Sequence, residues 1–262
     1  MSVIKTRFWP AFAALWIWAG SPADLGFARE AAVHGHEAHW SYEGGTGPEH
    51  WGDLKAEFEL CKKGKGQSPV DLAGGAESRL DPLEFAYKDS PLRIVNNGHT
   101  IQVNYEPGSS VKIGGGEYRL AQFHFHAPSE HWAAGKAFDM ELHLVHKNDK
   151  GELAVVGVFM KKGKTHPALE KIWGHLPDEV DKEAVVKTVS INARDLLPAA
   201  PGTRFSYSGS LTTPPCSEGV SWHVLSTPVE VSGEQIEAFK KRVHFNARPV
   251  NPLNQRKVLL GK

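Results

Sequence analysis

The chain has 262 residues, balances 30 Lys and Arg against 30 Asp and Glu, and is 40% hydrophobic and 23% charged. That length buries a substantial core and fits one large domain or two small ones, with the composition of an ordinary globular protein. With no net charge and no basic stripe to track phosphates, nucleic acid is not expected as a partner.

The first segment differs from the rest. Lys5 and Arg7 precede the apolar run "FWPAFAALWIWAG" (Phe8 to Gly20), and small residues follow to Ala28. This three-part layout predicts a secretory signal peptide over residues 1–28, removed on export to the periplasm or the exterior. The alternative, a membrane anchor, needs roughly 20 apolar residues, more than the run supplies. No later stretch is apolar enough to span a bilayer, so no membrane span is expected after signal removal. Residues 29–39, "REAAVHGHEAH", are polar and unpatterned and predict a flexible arm, whose His34, His36 and His39 could catch a metal adventitiously. Without internal repeats, low-complexity tracts or linkers, residues 40–262 read as a single domain.

From Pro91 onward the pattern is mostly strand. "LRIVNNGHTIQVNY" holds two β-rich runs separated by Asn-Asn-Gly, a hairpin signal. "EYRLAQFHFHA" and "MELHLVH" alternate, and "LAVVGVFM" (Leu153 to Met160) is a continuous apolar run of the kind buried on both faces. "VSWHVLSTPVEV" is further strand. Helices are few: "SGEQIEAFKKRV" opens with a capping box, Ser232 and Gln235, and "HPALEKIWGHL" carries Pro167 in its first turn. A large sheet with small peripheral helices follows, while its topology stays open.

Five histidines crowd one stretch, "QFHFHAPSEHWAAGKAFDMELHLVHKN" (Gln122 to Asn148). Side chains two apart on a strand share a face, so Gln122, His124 and His126 point one way and Phe123 and Phe125 the other. Glu141, His143 and Val145 likewise share a face, opposed by His146. If the two strands lie side by side, His124, His126 and His143 converge. Three neutral imidazoles with an open fourth position suit a catalytic zinc ion. Gln122 and Glu141, each two residues before a histidine on its own face, are placed to hold the outer ring nitrogens. Spacing alone leaves a second reading, an ordinary polar face of a half-exposed sheet. His131 and His146 read as structural hydrogen-bonding histidines.

Two cysteines, Cys61 and Cys216, form one disulfide if the chain is exported and stay as buried thiols if it is not. A bridge over so long a loop would constrain the unfolded chain by roughly 5 kcal/mol in the loop-entropy model.

In chain order, "HWSYEGGTGPEHWGDL", "GKGQSPVDL", "NNGHTIQVNY", the histidine stretch, "SYSGSLTTPPCSEGVSWHV" and "FNARPVNPLNQR", across nearly the whole mature chain, closely resemble the α-class carbonic anhydrases, with the cysteine pair of their exported bacterial members. The resemblance implies a mainly β, single-domain fold, a large, mostly antiparallel twisted sheet of about ten strands with zinc at the floor of a cleft. It implies zinc-dependent, reversible hydration of carbon dioxide to bicarbonate by a zinc-bound hydroxide. His124, His126 and His143 match the zinc ligands, Gln122 and Glu141 the groups that orient the first and third, and Asn246 the carbonyl that holds the second. Thr212 matches the threonine that orients the hydroxide and donates its own proton to a glutamate, here Glu130. His99 matches the proton shuttle and, in a turn beside Asn97 and Gly98, is expected to be exposed and mobile. Val145, Val155, Leu211, Val220 and Trp222, bordered by Thr213, match the apolar wall for carbon dioxide. Tyr42, Asn97 and Gln102 match positions that order a water chain. Gln102 stands where animal enzymes often carry another residue, and Ala247 replaces an aromatic often found after the asparagine, which puts local packing in question.

Cys216 lies four residues beyond Thr212, so a bond to Cys61 would tether the threonine's loop. Ser68-Pro69 and Pro214-Pro215 are candidates for unusual peptide geometry. Other readings are a non-catalytic carbonic-anhydrase-like binding module, a zinc buffer using the N-terminal histidines, and a side activity on activated esters. The resemblance also suggests a homodimer.

Overall fold

The computed structural model of the protein describes residues 39–200 and 202–262. The expected signal peptide, and the arm up to residue 38 with His34 and His36, lie outside the described residues. Among the described residues, twelve strands form one mixed sheet. They are β1 (Ala76–Glu77), β2 (Leu83–Ala86), β3 (Ser90–Asn96), β4 (Ile101–Asn104), β5 (Ser110–Ile113) and β6 (Gly116–His126). The second half supplies β7 (Met140–Lys147), β8 (Leu153–Lys162), β9 (Ala184–Ile191), β10 (Arg204–Ser210), β11 (Glu218–Val231) and β12 (Leu259–Gly261). The order is β1-β12-β10-β11-β8-β7-β6-β4-β3-β9, with β5 pairing β6 and β2 to the side. Among the described strands, β1–β12 and β8–β11 pair in parallel and the other pairs are antiparallel. Among the described residues no helix is long and apolar enough to cross a membrane.

The expected hairpin forms: β3 pairs antiparallel with β4, Asn96 opposite Ile101, and Gly98 turns the chain at φ 79°, where a side chain would be strained. β8 lies between β7 and β11, and from Ala154 to Met160 it is buried throughout, as a strand covered on both faces must be. Four short helices, α1 (Trp51–Leu54), α2 (Leu60–Lys63), α3 (Pro167–Trp173) and α4 (Gly233–Lys240), sit around the sheet. Pro167 opens α3. The Ser232–Gln235 capping box opens α4, each side chain bonding the other's backbone N–H.

Strand alternation divides the interior. Phe123, Phe125, Leu142, Leu144, Val156 and Val158 join Leu169 and Ile172 of α3 and Ile236 and Phe239 of α4 in one core. Val155, Phe159, Trp222, Val224 and Tyr207 form another with Val70 and Leu72. Because Phe123 and Phe125 are anchored in the first core, His124 and His126 must emerge on the opposite face. Cis peptides occur at the two expected candidates, Ser68-Pro69 and Pro214-Pro215, and also at Ala127-Pro128.

Candidate metal centre

The register of three strands assembles the site. β6 and β7 pair antiparallel with His124 opposite His143, His126 opposite Glu141 and Gln122 opposite Val145. Residues directly opposite share a face, so one pairing places the three histidines and both of their carboxamide or carboxylate neighbours together. Ligand atoms of His124, His126 and His143 lie within 4.8 Å of one another. β8 adds Gly157 beside His143 and Val155 beside Val145, and β11 adds Trp222 beside Val155.

Hydrogen bonds decide which nitrogen each ring turns inward. His124 Nδ1–H donates to Gln122 Oε1 at 2.8 Å, and His126 Nδ1–H donates to the Asn246 carbonyl at 2.7 Å. Both acceptors are pure acceptors, so the protons sit on Nδ1 and Nε2 is left as a lone pair. His143 is turned the other way: its Nε2 lies 3.0 Å from Glu141 Oε1, although off the line of a hydrogen bond, which leaves Nδ1 free. Burial above all, with neighbouring histidines adding to it, holds His124 well below the usual imidazole range. Burial also lowers His126, opposed by Glu130. Neutral imidazoles with inward lone pairs are what a divalent cation needs. His126 Nε2 is buried and has no hydrogen-bond partner, an orphan that a metal bond would satisfy. The donor set fits zinc.

Glu141 is fully buried between donors. Its Oε2 accepts from the His131 backbone N–H and its Oε1 from His131 Nδ1–H, both at 2.8 Å. Burial opposes its ionisation, but His131 and His143 outweigh that and hold the carboxyl well below its ordinary value. His131 is therefore no bystander to Glu141; its Nε2 accepts from the Tyr207 hydroxyl at 2.6 Å, which in turn meets Ser68 Oγ at 2.8 Å. His146, on the opposite face, bonds the Tyr87 hydroxyl at 2.7 Å.

Glu130 is also fully buried. Its Oε1 accepts from the Arg248 backbone N–H at 2.9 Å, while Oε2 has no hydrogen-bond partner and lies 3.5 Å from His126 Nε2 and 3.9 Å from His143 Nδ1. The expected bond from Thr212 is thus absent at Oε2. Thr212 is buried in the turn after β10, closed by Leu211 N–H to Ser217 O at 3.0 Å and Cys216 N–H to Thr213 O at 2.9 Å. Cys61 and Cys216 are bonded. Val145, Val155, Leu211, Val220 and Trp222 belong to one apolar cluster, and the Trp222 indole donates to the Ser210 carbonyl at 2.9 Å.

The outer polar residues depart from expectation. His99 is neither exposed nor free: its ring stacks on Trp40 with centroids 3.5 Å apart, and its Nε2 meets His39 Nε2 at 2.9 Å. Burial and then the adjacent His39 push its pKa down to about 4. The reason is that the aromatic cluster of Trp40, Tyr42 and Trp51 offers the ring a flat face. Asn97 Oδ1 caps the His99 and Thr100 N–H groups, fixing the turn. Gln102 lies directly opposite His124 across β4–β6 but donates to Asn104 Oδ1 at 2.7 Å. Ala247 is buried, so the missing aromatic leaves no exposed gap.

Sequence reading missed Arg248, the Asn246 side chain and Gly157. Asn246 Oδ1 accepts from Ala127 N–H, and its amide donates to the carbonyls of His99 and Phe125. A Cβ on Gly157 would lie 3.0 Å from Glu141 Oε1 and 3.1 Å from Val224.

A family model described as eukaryotic-type carbonic anhydrase matches residues 46–262. A carbonic anhydrase of Nostoc sp. is 46% identical over 225 residues, covering 84% of this chain and 85% of that protein. Among solved structures, a hyperthermostable carbonic anhydrase from a hydrothermal vent chimney is 51% identical with a TM-score of 0.82, covering 86% of this chain and all of that one. The α-carbonic anhydrase of Thermovibrio ammonificans, solved with the inhibitor sulfanilamide, is 48% identical with a TM-score of 0.82, covering 86% and 99%.

Proposed function

The chain belongs to the eukaryotic-type (α) carbonic anhydrase family, and from that premise we propose that it interconverts carbon dioxide and bicarbonate with one zinc ion held by His124, His126 and His143. The observation that carries the reading is the convergence of His124, His126 and His143, whose ligand atoms lie within 4.8 Å of one another while Gln122 and the Asn246 carbonyl engage the outer nitrogens of the first two. Bound there, zinc would supply a Lewis acid that lowers the pKa of coordinated water to about 7, a value that comes from carbonic anhydrase itself. Neutral ligands suit this task because thiolates or carboxylates would offset the cation's charge.

The chain's own residues do the rest. Gln122, the Asn246 carbonyl and Glu141 hold the rings in the tautomers that present lone pairs. Glu130 Oε2, unpartnered beside His126 and His143, is available to accept a hydrogen bond from Thr212, whose hydroxyl would then accept from the attacking oxygen and turn its lone pair toward carbon. Val145, Val155, Leu211, Val220 and Trp222, with Thr213 at the border, offer a neutral substrate an apolar wall and no competing hydrogen bonds. The proton released on each cycle leaves by way of Tyr42, Asn97 and Gln102 to His99. Because His99 titrates near 4 on Trp40, it accepts that proton after swinging off the ring. The disulfide and the signal-like first segment support export to the periplasm or exterior. A homodimer belongs to the same reading, and sedimentation of the purified protein tests it.

The direct test is stopped-flow carbon dioxide hydration with metal analysis. One zinc per chain, with hydration abolished in His143→Ala, is expected; one zinc without hydration would defeat the reading.

A further inference from the structure

Arg248 is buried, and its guanidinium makes three hydrogen bonds. Its Nη1 donates to Gln67 Oε1 at 2.9 Å and to the Ser68 carbonyl at 2.8 Å, and its Nη2 donates to the Cys61 carbonyl at 2.9 Å. The guanidinium also lies over the Trp51 ring, 5.5 Å from its centroid. All three acceptors belong to residues 61–68, the segment that carries one half of the disulfide. From the same residue the backbone N–H donates to Glu130 Oε1 at 2.9 Å.

Residues 61–68 are in turn locked to the turn bearing Thr212. The Cys61–Cys216 bond makes one link. Gln67 makes another: while its Oε1 accepts from Arg248, its Nε2 donates to the Cys216 carbonyl at 3.0 Å. Ser68 N–H to Ser210 Oγ at 2.9 Å and Ser210 N–H to Ser68 Oγ at 3.0 Å close a reciprocal pair at the foot of the turn. Thr212 and Glu130 thus hang from one frame, Thr212 through Cys216 and Glu130 through Arg248 and the Cys61 segment.

We propose that Arg248 is a positioning residue for Glu130, and that the Cys61–Cys216 disulfide, through Arg248, sets the Glu130 carboxylate as well as the Thr212 turn. This rests on the reading of Thr212 and Glu130 as the pair that orients the attacking oxygen. A carboxylate held at one oxygen by a rigid peptide N–H has the direction of its other oxygen fixed, and here that other oxygen is the one facing the histidines. The guanidinium's three hydrogen bonds anchor residue 248 itself to residues 61–68, while Asn251 N–H to the Pro69 carbonyl and Arg256 Nη2 to the Gln67 carbonyl, both at 2.8 Å, hold the residues that follow. Arginine is required for geometric reasons: its planar fork reaches three carbonyl-type acceptors at once, whereas lysine's ammonium is a single point on a flexible stem. The substitution leaves the donor to Glu130, a backbone N–H, in place and removes only its anchorage.

The test uses the full mature chain loaded with cobalt(II), whose visible spectrum follows the ionisation of solvent at the metal without reference to turnover. Arg248→Lys and, separately, Cys61→Ser/Cys216→Ser are each expected to move the spectral midpoint by roughly half a pH unit or more, with one metal per chain retained. Combining them is expected to move it no further than the larger single effect, because both act through the same frame. An Arg248→Lys protein that lowers the melting temperature but keeps the wild-type midpoint and kcat would overturn the proposal, as would shifts that simply add. If Arg248→Lys does not fold, wild-type protein reduced with a phosphine carries the same test: an unchanged midpoint overturns it and a shifted one supports it. Wild-type hydration tests the functional reading separately, so an active wild type with unmoved variants condemns the positioning role alone.

Discussion

The main-chain carbonyl of Asn246 accepts from His126 Nδ1 at 2.7 Å, joining residues 120 apart in sequence. The side chain of the same asparagine satisfies the Ala127 N–H and the carbonyls of His99 and Phe125, so it pins the end of β6 against the turn that carries His99. Asn246→Ala keeps the carbonyl but leaves the buried Ala127 N–H unpaired and removes one donor from each of the His99 and Phe125 carbonyls, the latter still held by Thr100 Oγ1. At roughly 1–3 kcal/mol for the unsatisfied N–H, a loss of about 2 kcal/mol is expected in denaturant unfolding, together with faster metal release to a chelator. Wild-type release kinetics in a destabilised variant would show that the side chain braces the fold without steadying His126.

Glu141 receives donors from the His131 backbone, from His131 Nδ1 and from the side of His143 Nε2. A carboxylate can accept all of them; a carboxamide must turn an N–H toward at least one donor. Glu141→Gln is expected to weaken metal binding by roughly 10–100-fold, read by competition with a chelating dye. Gly157→Ala presses on the same carboxylate from β8, where a new Cβ would lie 3.0 Å from Oε1. It should cost about 1–3 kcal/mol of stability, and an affinity loss in the same direction as Glu141→Gln would tie the glycine to that oxygen.

How far these relations could be read in advance depended on their range along the chain. Parity on two strands grouped His124, His126 and His143, and the register of β6 on β7 is the one that parity needs. Capping of α4 and the proline at the start of α3 are local, and both were legible. Partners drawn from distant segments were not. Nothing in "QFHFH" announces that Asn246 will hold its second histidine; only the family resemblance supplied that. Arg248 to Glu130 and His131 to Tyr207 cross 118 and 76 residues and carry no periodicity. The surroundings of His99 were hidden for a different reason. Asn-Gly-His in a turn reads as exposed, and only the fold brings Trp40 against the ring.

That stack makes a prediction of its own. Burial and the neighbouring His39 favour neutral His99 and hold its pKa at about 4. Removing the indole exposes the ring, so Trp40→Ala is expected to raise the His99 pKa toward 6.5, measured by NMR titration of its ring protons. The same variant should transfer protons faster at low buffer near pH 7, where an imidazole titrating near 6.5 is better matched to its task. A pKa that stays near 4 would mean that His39 and the turn, and not Trp40, keep the ring neutral.

Two further buried histidines set the acid limit of the fold. His146, on the face away from the metal centre, donates Nδ1–H to the Ala154 carbonyl and accepts from Tyr87, and burial holds its pKa at about 4. His223 accepts from Arg204 Nε–H and donates to Ser221 Oγ; burial, then the Arg204 charge, push its pKa down to about 3. Both are neutral in the fold and ordinary imidazoles in the unfolded chain, with a pKa near 6.5. Below pH 6.5 the unfolded chain therefore binds protons that the fold refuses, so the stability these sites contribute is complete above 6.5 and is lost as pH falls toward the folded values. Between pH 7 and 5 that amounts to roughly 2 kcal/mol for each histidine. His223→Gln offers an acceptor to Arg204 and a donor to Ser221 without titrating, so denaturant unfolding of this variant should lose about 2 kcal/mol less than wild type over the same interval. Equal losses would place the acid sensitivity elsewhere, because no other change in His223→Gln alters the number of protons that unfolding takes up.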